Sequence, residues 1–246
     1  MSTDRAFTGR VALVTGASGG IGSAICRALA GSGATVAAAY SGNAAAARSL
    51  CAELDATGAR AEAFGADMED PAGPGDLVTA AGEALGPVDL LVACHGRGVP
   101  TTYESLGAAD FDRTMAINLR APFLLAQAAL PAMRERRFGR VLFISSTAAL
   151  RGGTLAPDYA ASKAGLHGLV YFLASRVAAD GVTVNALAPG YVDTAMLPGD
   201  PRELGARVPV GRVGEPQEVA ELACAMLANA FLTAHVYPLD GGMHPR

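Results

Sequence analysis

The sequence predicts an α/β protein with one doubly wound parallel sheet (a Rossmann fold) and helices on both faces. Short apolar runs typical of buried strands alternate with alanine-rich segments of helical spacing along the whole chain. A cluster of glycines separates the first apolar run from the first helical segment, and no linker or change of composition divides the 246 residues. Strands that alternate with helices form βαβ units with right-handed crossovers. We therefore expect residues 1–246 to form a single domain.

Seven strands are predicted from runs of apolar residues. Residues 11–14 are all apolar, as expected of a strand that is buried on both faces of a parallel sheet. Residues 88–93 (VDLLVA) and 140–145 (RVLFIS) are also mainly apolar. In chain order, the predicted strands are 11–14, 35–39, 60–65, 88–93, 140–145, 183–188 and 235–239.

Six helices are predicted between these strands. Gly31 and Gly33 end the first helix and Gly58 ends the second, because glycine readily adopts the conformation of a helix C-terminus. Pro122 and Pro131 are expected to kink the long fourth helix. In chain order, the predicted helices are 21–30, 44–56, 71–85, 110–136, 158–179 and 215–230.

The composition excludes several functional classes. The net charge of −4 is spread without basic clusters, which argues against nucleic acid and anionic membrane as partners. The four cysteines have no C-x-x-C spacing and predict reduced thiols in a cytoplasmic protein without a metal site. The first residues lack the apolar core of a signal peptide, and no apolar run is long enough to span a bilayer.

The glycine cluster predicts a site for the diphosphate of a dinucleotide. The segment 15–22 reads TGASGGIG, and its glycines allow a tight turn that brings the N–H groups of the next helix towards an anion. The alternative is a flexible glycine-rich turn, but the order strand, glycines, helix favours the binding site. The predicted contacts in this segment are Gly16, Ser18, Gly19, Gly20, Ile21 and Gly22.

The end of the second strand favours NADP(H) over NAD(H). NAD-specific sites place a carboxylate there on the ribose 2′-hydroxyl, whereas residues 40–43 read YSGN. Ser41 and Asn43 are candidate donors to a 2′-phosphate, although no arginine or lysine accompanies them. Asp67 is a candidate partner for the adenine amino group, and Met68 beside it is included in the predicted site. The alternative for Asp67 is a turn or N-cap aspartate before Pro71.

A tyrosine and a lysine form the candidate catalytic pair. Tyr159 and Lys163 lie four residues apart in YAASK, and Lys163 is the only lysine among 19 basic residues. On a helix the two side chains share one face, one turn apart. An ammonium beside a phenol is expected to lower the phenol pKa, so that the tyrosine can transfer a proton at neutral pH. The alternative is an ordinary surface pair.

Together these motifs resemble the short-chain dehydrogenase/reductase family, and most closely its 3-oxoacyl-carrier-protein reductase and polyketide ketoreductase branch. The resemblance extends from Gly9 to Met243. It rests on TGASGGIG at 15–22, Asn118 in MAINL, ISS at 144–146, YAASK at 159–163, VNALAPGYVDT at 184–194 and LDGGM at 239–243.

The resemblance implies a role for each catalytic candidate. Tyr159 would protonate the substrate carbonyl, and Lys163 would hold the nicotinamide ribose. Ser146 would bond the carbonyl oxygen, and we choose it over Ser145 because adjacent strand residues face opposite ways. Asn118 would hold a water that leads protons to Lys163, or would be a structural amide in the middle of a helix.

The resemblance also implies further contacts and an assembly. Cys94 and Gly96 would contact the cofactor through the backbone, and four residues match the loop that meets the nicotinamide carboxamide. These four are Pro189, Gly190, Val192 and Thr194. Residues 194–212 would form a substrate lid, and the helices 110–136 and 158–179 would pair between subunits of a homotetramer.

Two departures from the family pattern bear on function. The family has Asn-Asn-Ala-Gly where this chain has Ala-Cys-His-Gly at 93–96. We expect His95 to be hydrogen-bonded structure, the alternative being a second acid/base group. Arg137 matches one member of the basic pair by which the family docks a carrier protein, but the other position is Asp180, which weakens attraction for an acidic partner.

These observations predict an NADPH-dependent reductase that transfers hydride to a ketone, either a 3-oxoacyl thioester or a polyketide-like compound. The same residues serve oxidation of a secondary alcohol, so an NAD(P)-dependent dehydrogenase is the first alternative. A cofactor-binding sensor without turnover is the second.

Overall fold

The computed structural model describes residues 6–244. In this part of the chain seven parallel strands form one sheet in the order β3-β2-β1-β4-β5-β6-β7. The strands are β1 (Val11–Thr15), β2 (Thr35–Tyr40), β3 (Ala61–Gly65), β4 (Leu90–Ala93), β5 (Gly139–Ile144), β6 (Val182–Pro189) and β7 (Val236–Leu239). The predicted α/β fold with a doubly wound parallel sheet is confirmed.

The helices cover both faces of this sheet. They are α1 (Gly20–Gly31), α2 (Ala44–Ala56), α3 (Gly73–Leu85), α4 (Ala108–Met115), α5 (Ala121–Glu135), α6 (Ala148–Arg151), α7 (Pro157–Val177), α8 (Pro201–Gly205) and α9 (Pro216–Ala228). The short helices α6 and α8 were not predicted, because four or five residues are too few to show apolar periodicity.

Alternating side chains of the strands supply the two halves of the core. On β1, Val11 and Leu13 pack into one hydrophobic cluster, whereas Ala12 and Val14 pack into the other. The first cluster contains residues of α3, α5 and α7, and the second contains residues of α1, α2 and α9. Burial on both faces explains why the central strands read as continuous apolar runs.

The long helix predicted over 110–136 contains an irregular turn. Residues Ala116–Arg120 form a π-helical segment between α4 and α5. Pro122 lies in the first turn of α5 and Pro131 lies inside it, while the helix continues to Glu135. A π turn inserts one extra residue, and such turns often occur at functional sites. The turn here contains Asn118.

The strand order places a crevice between β1 and β4. The chain leaves β1 towards β2 on one side of the sheet and returns to β4 on the other. Ligands of open parallel sheets bind at such a switch point, outside the carboxyl ends of the strands. None of the helices in residues 6–244 combines the length and apolar character that crossing a membrane requires.

Candidate active site

A cavity of about 610 Å³ lies at the carboxyl ends of the strands. Its walls come from the glycine loop, from the segments after β4, β5 and β6, from α7 and from the last described residues. The structure brings many predicted residues together here. They are Gly16, Gly19, Gly20, Ile21, Gly22, Cys94, Gly96, Ser146, Tyr159, Lys163, Pro189, Gly190, Val192 and Thr194. The volume lies in the range that ligand sites occupy.

The backbone of the glycine loop is packed so closely that a side chain at Gly16 or Gly22 would collide with neighbouring backbone atoms. A Cβ atom on Gly22 would lie 2.1 Å from the carbonyl oxygen of Gly16, and a Cβ on Gly16 would lie 2.9 Å from the Cα of His95. Gly16 also has φ of +67°, a conformation that L side chains rarely adopt. Because α1 has no side-chain cap and no acid in its first turn, its N-terminus is left for an anion.

Tyr159 lies in this cavity with Ser146. Burial raises the pKa of Tyr159 above its ordinary value, and a hydrogen bond from Ser146 offsets part of that increase. The backbone N–H of Ala148 donates to Ser146 Oγ at 3.1 Å. The predicted lowering of the Tyr159 pKa is therefore wrong, because the effect of burial outweighs that of the hydrogen bond. The phenol stays protonated at neutral pH.

Lys163 lies one turn along α7 and is also buried. Its Nζ donates to the carbonyl oxygen of Ile144 at 2.8 Å and lies 5.9 Å from the centroid of the Tyr159 ring. Burial lowers the pKa of Lys163 from 10.5 to about 8, so the ammonium still predominates at pH 7. Two of its three N–H groups have no acceptor among the described residues and are available to a ligand.

The two adjacent serines have different surroundings. Ser145 is buried and donates to the carbonyl oxygen of Lys163 at 3.1 Å. Its Oγ also lies 2.8 Å from Nε2 of His167. Ser145 is therefore engaged with α7, whereas Ser146 has Tyr159 as its side-chain partner. This geometry supports the choice of Ser146 as the residue that contacts substrate.

Asn118 joins the segment after β4 to α7. Its Oδ1 accepts from the backbone N–H of Arg97 at 2.7 Å. Its Nδ2 donates to the carbonyl oxygen of Arg97 at 2.8 Å and to Ser162 Oγ at 3.1 Å. The side chain is fully buried. These bonds use both N–H groups of the amide and one lone pair of Oδ1, which supports a structural role for the side chain; the role of a water ligand stays a prediction.

Comparison with known proteins identifies the family. A family model described as short chain dehydrogenase matches residues 10–203. The chain belongs to the short-chain dehydrogenase family. This short-chain dehydrogenase is 37% identical over 242 residues to an acetoacetyl-CoA reductase of Allochromatium vinosum, covering 95% of this chain and 98% of the relative. It is 37% identical over 245 residues to the 3-oxoacyl-[acyl-carrier-protein] reductase of Escherichia coli, covering 97% and 98%.

Solved structures agree with this assignment. A blue fluorescent protein from a metagenomic library, in complex with NADPH, has a TM-score of 0.92 and 39% identity, covering 98% of this chain and 100% of that one. A 3-oxoacyl (acyl-carrier-protein) reductase from Agrobacterium tumefaciens with NADP bound has a TM-score of 0.90 and 35% identity, covering 96% and 95%. The family resemblance predicted from the motifs is confirmed.

His95 of this short-chain dehydrogenase is a structural residue. Its Nε2 lies 2.9 Å from the carbonyl oxygen of Ile117 and its Nδ1 lies 2.6 Å from Thr15 Oγ1. The carbonyl requires a proton on Nε2, so Nδ1 accepts from the threonine. Burial, with a smaller contribution from the Lys163 ammonium, lowers the His95 pKa to about 4. The ring is neutral at pH 7 and does not line the cavity.

The predicted contacts for the adenosine end lie outside the cavity walls. Ser41 is exposed, and Asn43 caps α2 by accepting from the N–H of Ala46 at 3.0 Å. Asp67 accepts from the N–H of Glu69 at 2.8 Å, as in the turn that was its alternative role. Met68 is buried in the core, so only its backbone is available to a ligand. Ser18, in the glycine loop, also lies outside the cavity walls.

The basic residue predicted for docking pairs with an aspartate. Arg137 Nη1 lies 3.3 Å from Asp180 Oδ1, and Arg134 Nε lies 2.6 Å from the other carboxylate oxygen. Asp180 thus pairs with two arginines at the end of α7. This arrangement agrees with the expectation that an acidic partner is only weakly attracted here.

Two groups of site residues were missed by the sequence analysis. His167 pairs with Ser145, and Arg151 and His244 line the cavity. The i,i+4 spacing of Asp240 and His244 was a usable signal, because their side chains bond at 2.5 Å. No local pattern predicted the pairing of residues 145 and 167, since a strand and a helix bring them together.

The residues of the site fit a nicotinamide dinucleotide. The glycine loop forms a cradle that a Cβ would fill, and the α1 N-terminus follows it directly. The ammonium of Lys163 keeps N–H groups for hydroxyl acceptors. Burial raises the pKa of the Cys94 thiol to about 12, so this cavity residue stays neutral and does not oppose a negatively charged ligand.

Proposed function

We propose that this protein is an NADPH-dependent reductase that transfers hydride to a ketone and forms a secondary alcohol. The observation that carries the proposal is a buried phenol, Tyr159, with a raised pKa and a hydrogen bond from Ser146, in the cavity that the glycine loop also lines. A phenol that stays protonated at neutral pH suits a proton donor, and therefore favours reduction over alcohol oxidation.

The chain's own residues account for the acid half of the reaction. When bound, a reduced nicotinamide supplies the hydride. As charge develops on the ketone oxygen, the hydroxyls of Ser146 and Tyr159 donate hydrogen bonds to it, and Tyr159 then transfers its proton. The ammonium of Lys163, 5.9 Å from the ring centroid, stabilises the phenolate that remains.

Two lines of support favour NADP(H). The turn after β2 carries no acid at 40–43, where an NAD site requires one. Two of the similar solved structures contain NADPH or NADP. We propose that Ser41 contacts the 2′-phosphate, and that the backbone of Asp67 and Met68 lies beside the adenine.

We propose a 3-oxoacyl or polyketide-like ketone as the substrate class. The similar enzymes are named acetoacetyl-CoA and 3-oxoacyl-[acyl-carrier-protein] reductases. Asp180 offsets one of the two arginine charges that it pairs with, which weakens the attraction for an acidic carrier protein, so a free ketone or a coenzyme A thioester suits this site better. The segment 194–212 supplies Thr194 and Met196 to the cavity wall, as a substrate lid would.

We further propose a single-domain cytoplasmic homotetramer. The helix α7 exposes Tyr171 and Phe172, which are 55% and 59% accessible, and exposed aromatic pairs of this kind favour contact with another subunit. Sedimentation of the purified protein tests the assembly.

The variant Tyr159→Phe tests the function directly, because it removes only the hydroxyl that donates the proton. We expect a loss of ketone reduction of at least about 10²-fold, the usual contribution of a general acid, with NADPH affinity unchanged. Reduction is followed by the nicotinamide absorbance, and binding by NADPH fluorescence. The matched control is Tyr103→Phe, at a position that is 79% accessible and lies outside the cavity walls, and it should keep full activity. Full activity of Tyr159→Phe would contradict the proposal, and a wild-type protein that binds NADPH but reduces no ketone would favour a sensor.

A further inference from the structure

A histidine and an aspartate form a buried pair in the cavity wall, outside the set Ser146, Tyr159 and Lys163. His244 Nδ1 lies 2.5 Å from Asp240 Oδ2, and the two side chains are 12% and 8% exposed. The N–H of Gly242 donates to Asp240 Oδ1 at 3.0 Å. A Cβ on Gly190 would lie 3.0 Å from the Cβ of Asp240, so the aspartate packs directly against the loop after β6.

The other nitrogen of this histidine has nothing to bond. Nε2 of His244 is buried and has no hydrogen-bond partner among the described residues, although His244 lines the same cavity as Ser146 and Tyr159. A buried polar atom without a partner is unfavourable, because it has lost its hydrogen bond to water. A ligand bound beside His244 would supply the missing partner.

The contact with Asp240 determines what that partner is. The carboxylate requires a proton on Nδ1, so Nε2 either accepts a hydrogen bond in the neutral ring or donates one in the imidazolium. An anionic oxygen at Nε2 would select the imidazolium, because both nitrogens would then donate charge-assisted hydrogen bonds.

A nearby arginine favours the anionic partner. Arg151, at the end of α6, donates from Nη1 to the carbonyl oxygen of Met243 at 3.2 Å, one residue from His244. Arg151 lines the cavity, and none of the lining residues in the described part of the chain carries a carboxylate. A guanidinium beside an imidazolium matches a carboxylate better than a neutral hydroxyl.

We propose that His244, oriented by Asp240, and Arg151 bind a carboxylate on the ketone substrate, so that the preferred substrates are oxo acids rather than neutral ketones. This inference rests on the proposed reductase function and narrows its substrate to free ketones that carry a carboxylate, in place of the coenzyme A thioester. His244 and Arg151 are specificity-determining residues, and Asp240 is a positioning residue.

The test compares oxo acids with their methyl esters. The panel contains methyl ketones with one, two or three methylene groups between the ketone and the carboxylate, so that the distance between the two groups is varied. Wild-type kcat/KM for the best acid should exceed that for its ester by about tenfold or more, the worth of one charge-assisted hydrogen bond. His244→Asn and Arg151→Gln should each lower this acid-to-ester ratio about tenfold.

Matched controls separate the site from general effects. His235→Asn and Arg48→Gln make the same changes at exposed positions outside the cavity, and should leave the ratio unchanged. Thermal unfolding and NADPH binding verify that each variant is folded. Arg151 is exposed, so Arg151→Gln should fold normally. This variant still tests the inference if His244→Asn does not fold.

The outcomes distinguish this inference from the proposed function. Equal turnover of acid and ester by the wild type, or a ratio unchanged in both variants, overturns the inference while reductase activity stands. If no ketone is reduced, the proposed function fails. Calorimetry of the same carboxylates with the NADPH-saturated protein then decides the inference, which predicts binding that weakens in both variants and is overturned if binding is absent or unaffected.

Discussion

The burial of Lys163 should cost the protein stability, and this cost can be measured. Burial lowers its pKa from 10.5 to about 8, and each pKa unit corresponds to about 1.4 kcal/mol. The charged lysine therefore destabilises the native state by about 3 kcal/mol below pH 8. The variant Lys163→Met removes the charge, although it leaves the carbonyl oxygen of Ile144 without a donor at a cost of about 1 kcal/mol. We expect a net gain of about 2 kcal/mol in the free energy of unfolding at pH 7.

The sign of the pH dependence identifies the cause. As pH rises from about 8 to 10.5, the native state releases the lysine proton before the unfolded state does, so the cost of burial falls and the wild type becomes more stable relative to the variant. Lys163 is the only lysine in the chain, so the variant removes all lysine titration. The difference in the free energy of unfolding between the two proteins therefore separates the lysine contribution from those of the tyrosines and cysteines, which both proteins share.

The assay is urea unfolding followed by circular dichroism, because the chain has no tryptophan. Cofactor is omitted, since a ligand of the native state would add its own stability, and protein concentration is held constant. The control Arg48→Met removes a charge from an exposed position and should change stability by less than about 0.5 kcal/mol at every pH. A Lys163→Met protein less stable than wild type at pH 7, or a gain that does not shrink towards pH 10.5, would refute the reasoning.

Two further predictions concern the glycine loop and His95. Gly22→Ala should weaken NADPH binding by at least about tenfold, because the new Cβ would lie 2.1 Å from the Gly16 oxygen. The control Gly31→Ala adds a Cβ on the same helix where there is open space, and it should bind NADPH normally. Fluorescence titration measures NADPH binding by both variants. The His95 pKa falls from 6.5 to about 4, so the unfolded chain takes up its proton first and stability is lost as pH falls through this window. Between pH 6.5 and about 4, the free energy of unfolding of the wild type, measured by urea titration, should fall by about 3 kcal/mol. The fall should be clearly smaller for His95→Gln. An equal dependence on pH in the two proteins would contradict the role of this histidine.

Local pattern was enough to predict the sheet and the residues around the cavity. The central strands are buried on both faces, so their apolar runs are unmistakable in the sequence. The glycine loop and the pair Tyr159 and Lys163 are defined by short spacings within one turn or one helix. Such spacings are visible without the fold, and the parallel sheet then brings the segments to one edge.

Quantities that depend on distant residues could not be predicted in this way. The pKa of Tyr159 was expected to fall and instead rises, because burial is a property of the assembled fold. The π turn at 116–120 adds one residue to a helix without altering its apolar character. His244 is held by Asp240 through a local spacing, but the cavity that it lines is formed by segments from across the chain.

The bonding of Asn118 limits how this enzyme can be redesigned. Its amide bonds both the N–H and the carbonyl oxygen of Arg97, as a neighbouring strand would. The preceding residue is Gly96, where a Cβ atom would lie 3.3 Å from Nζ of Lys163. An insertion before Arg97 would break these hydrogen bonds and displace the backbone of Gly96 beside the Lys163 ammonium. Residues 99–106 are mostly exposed, so a loop grafted to accept bulkier compounds should be lengthened there.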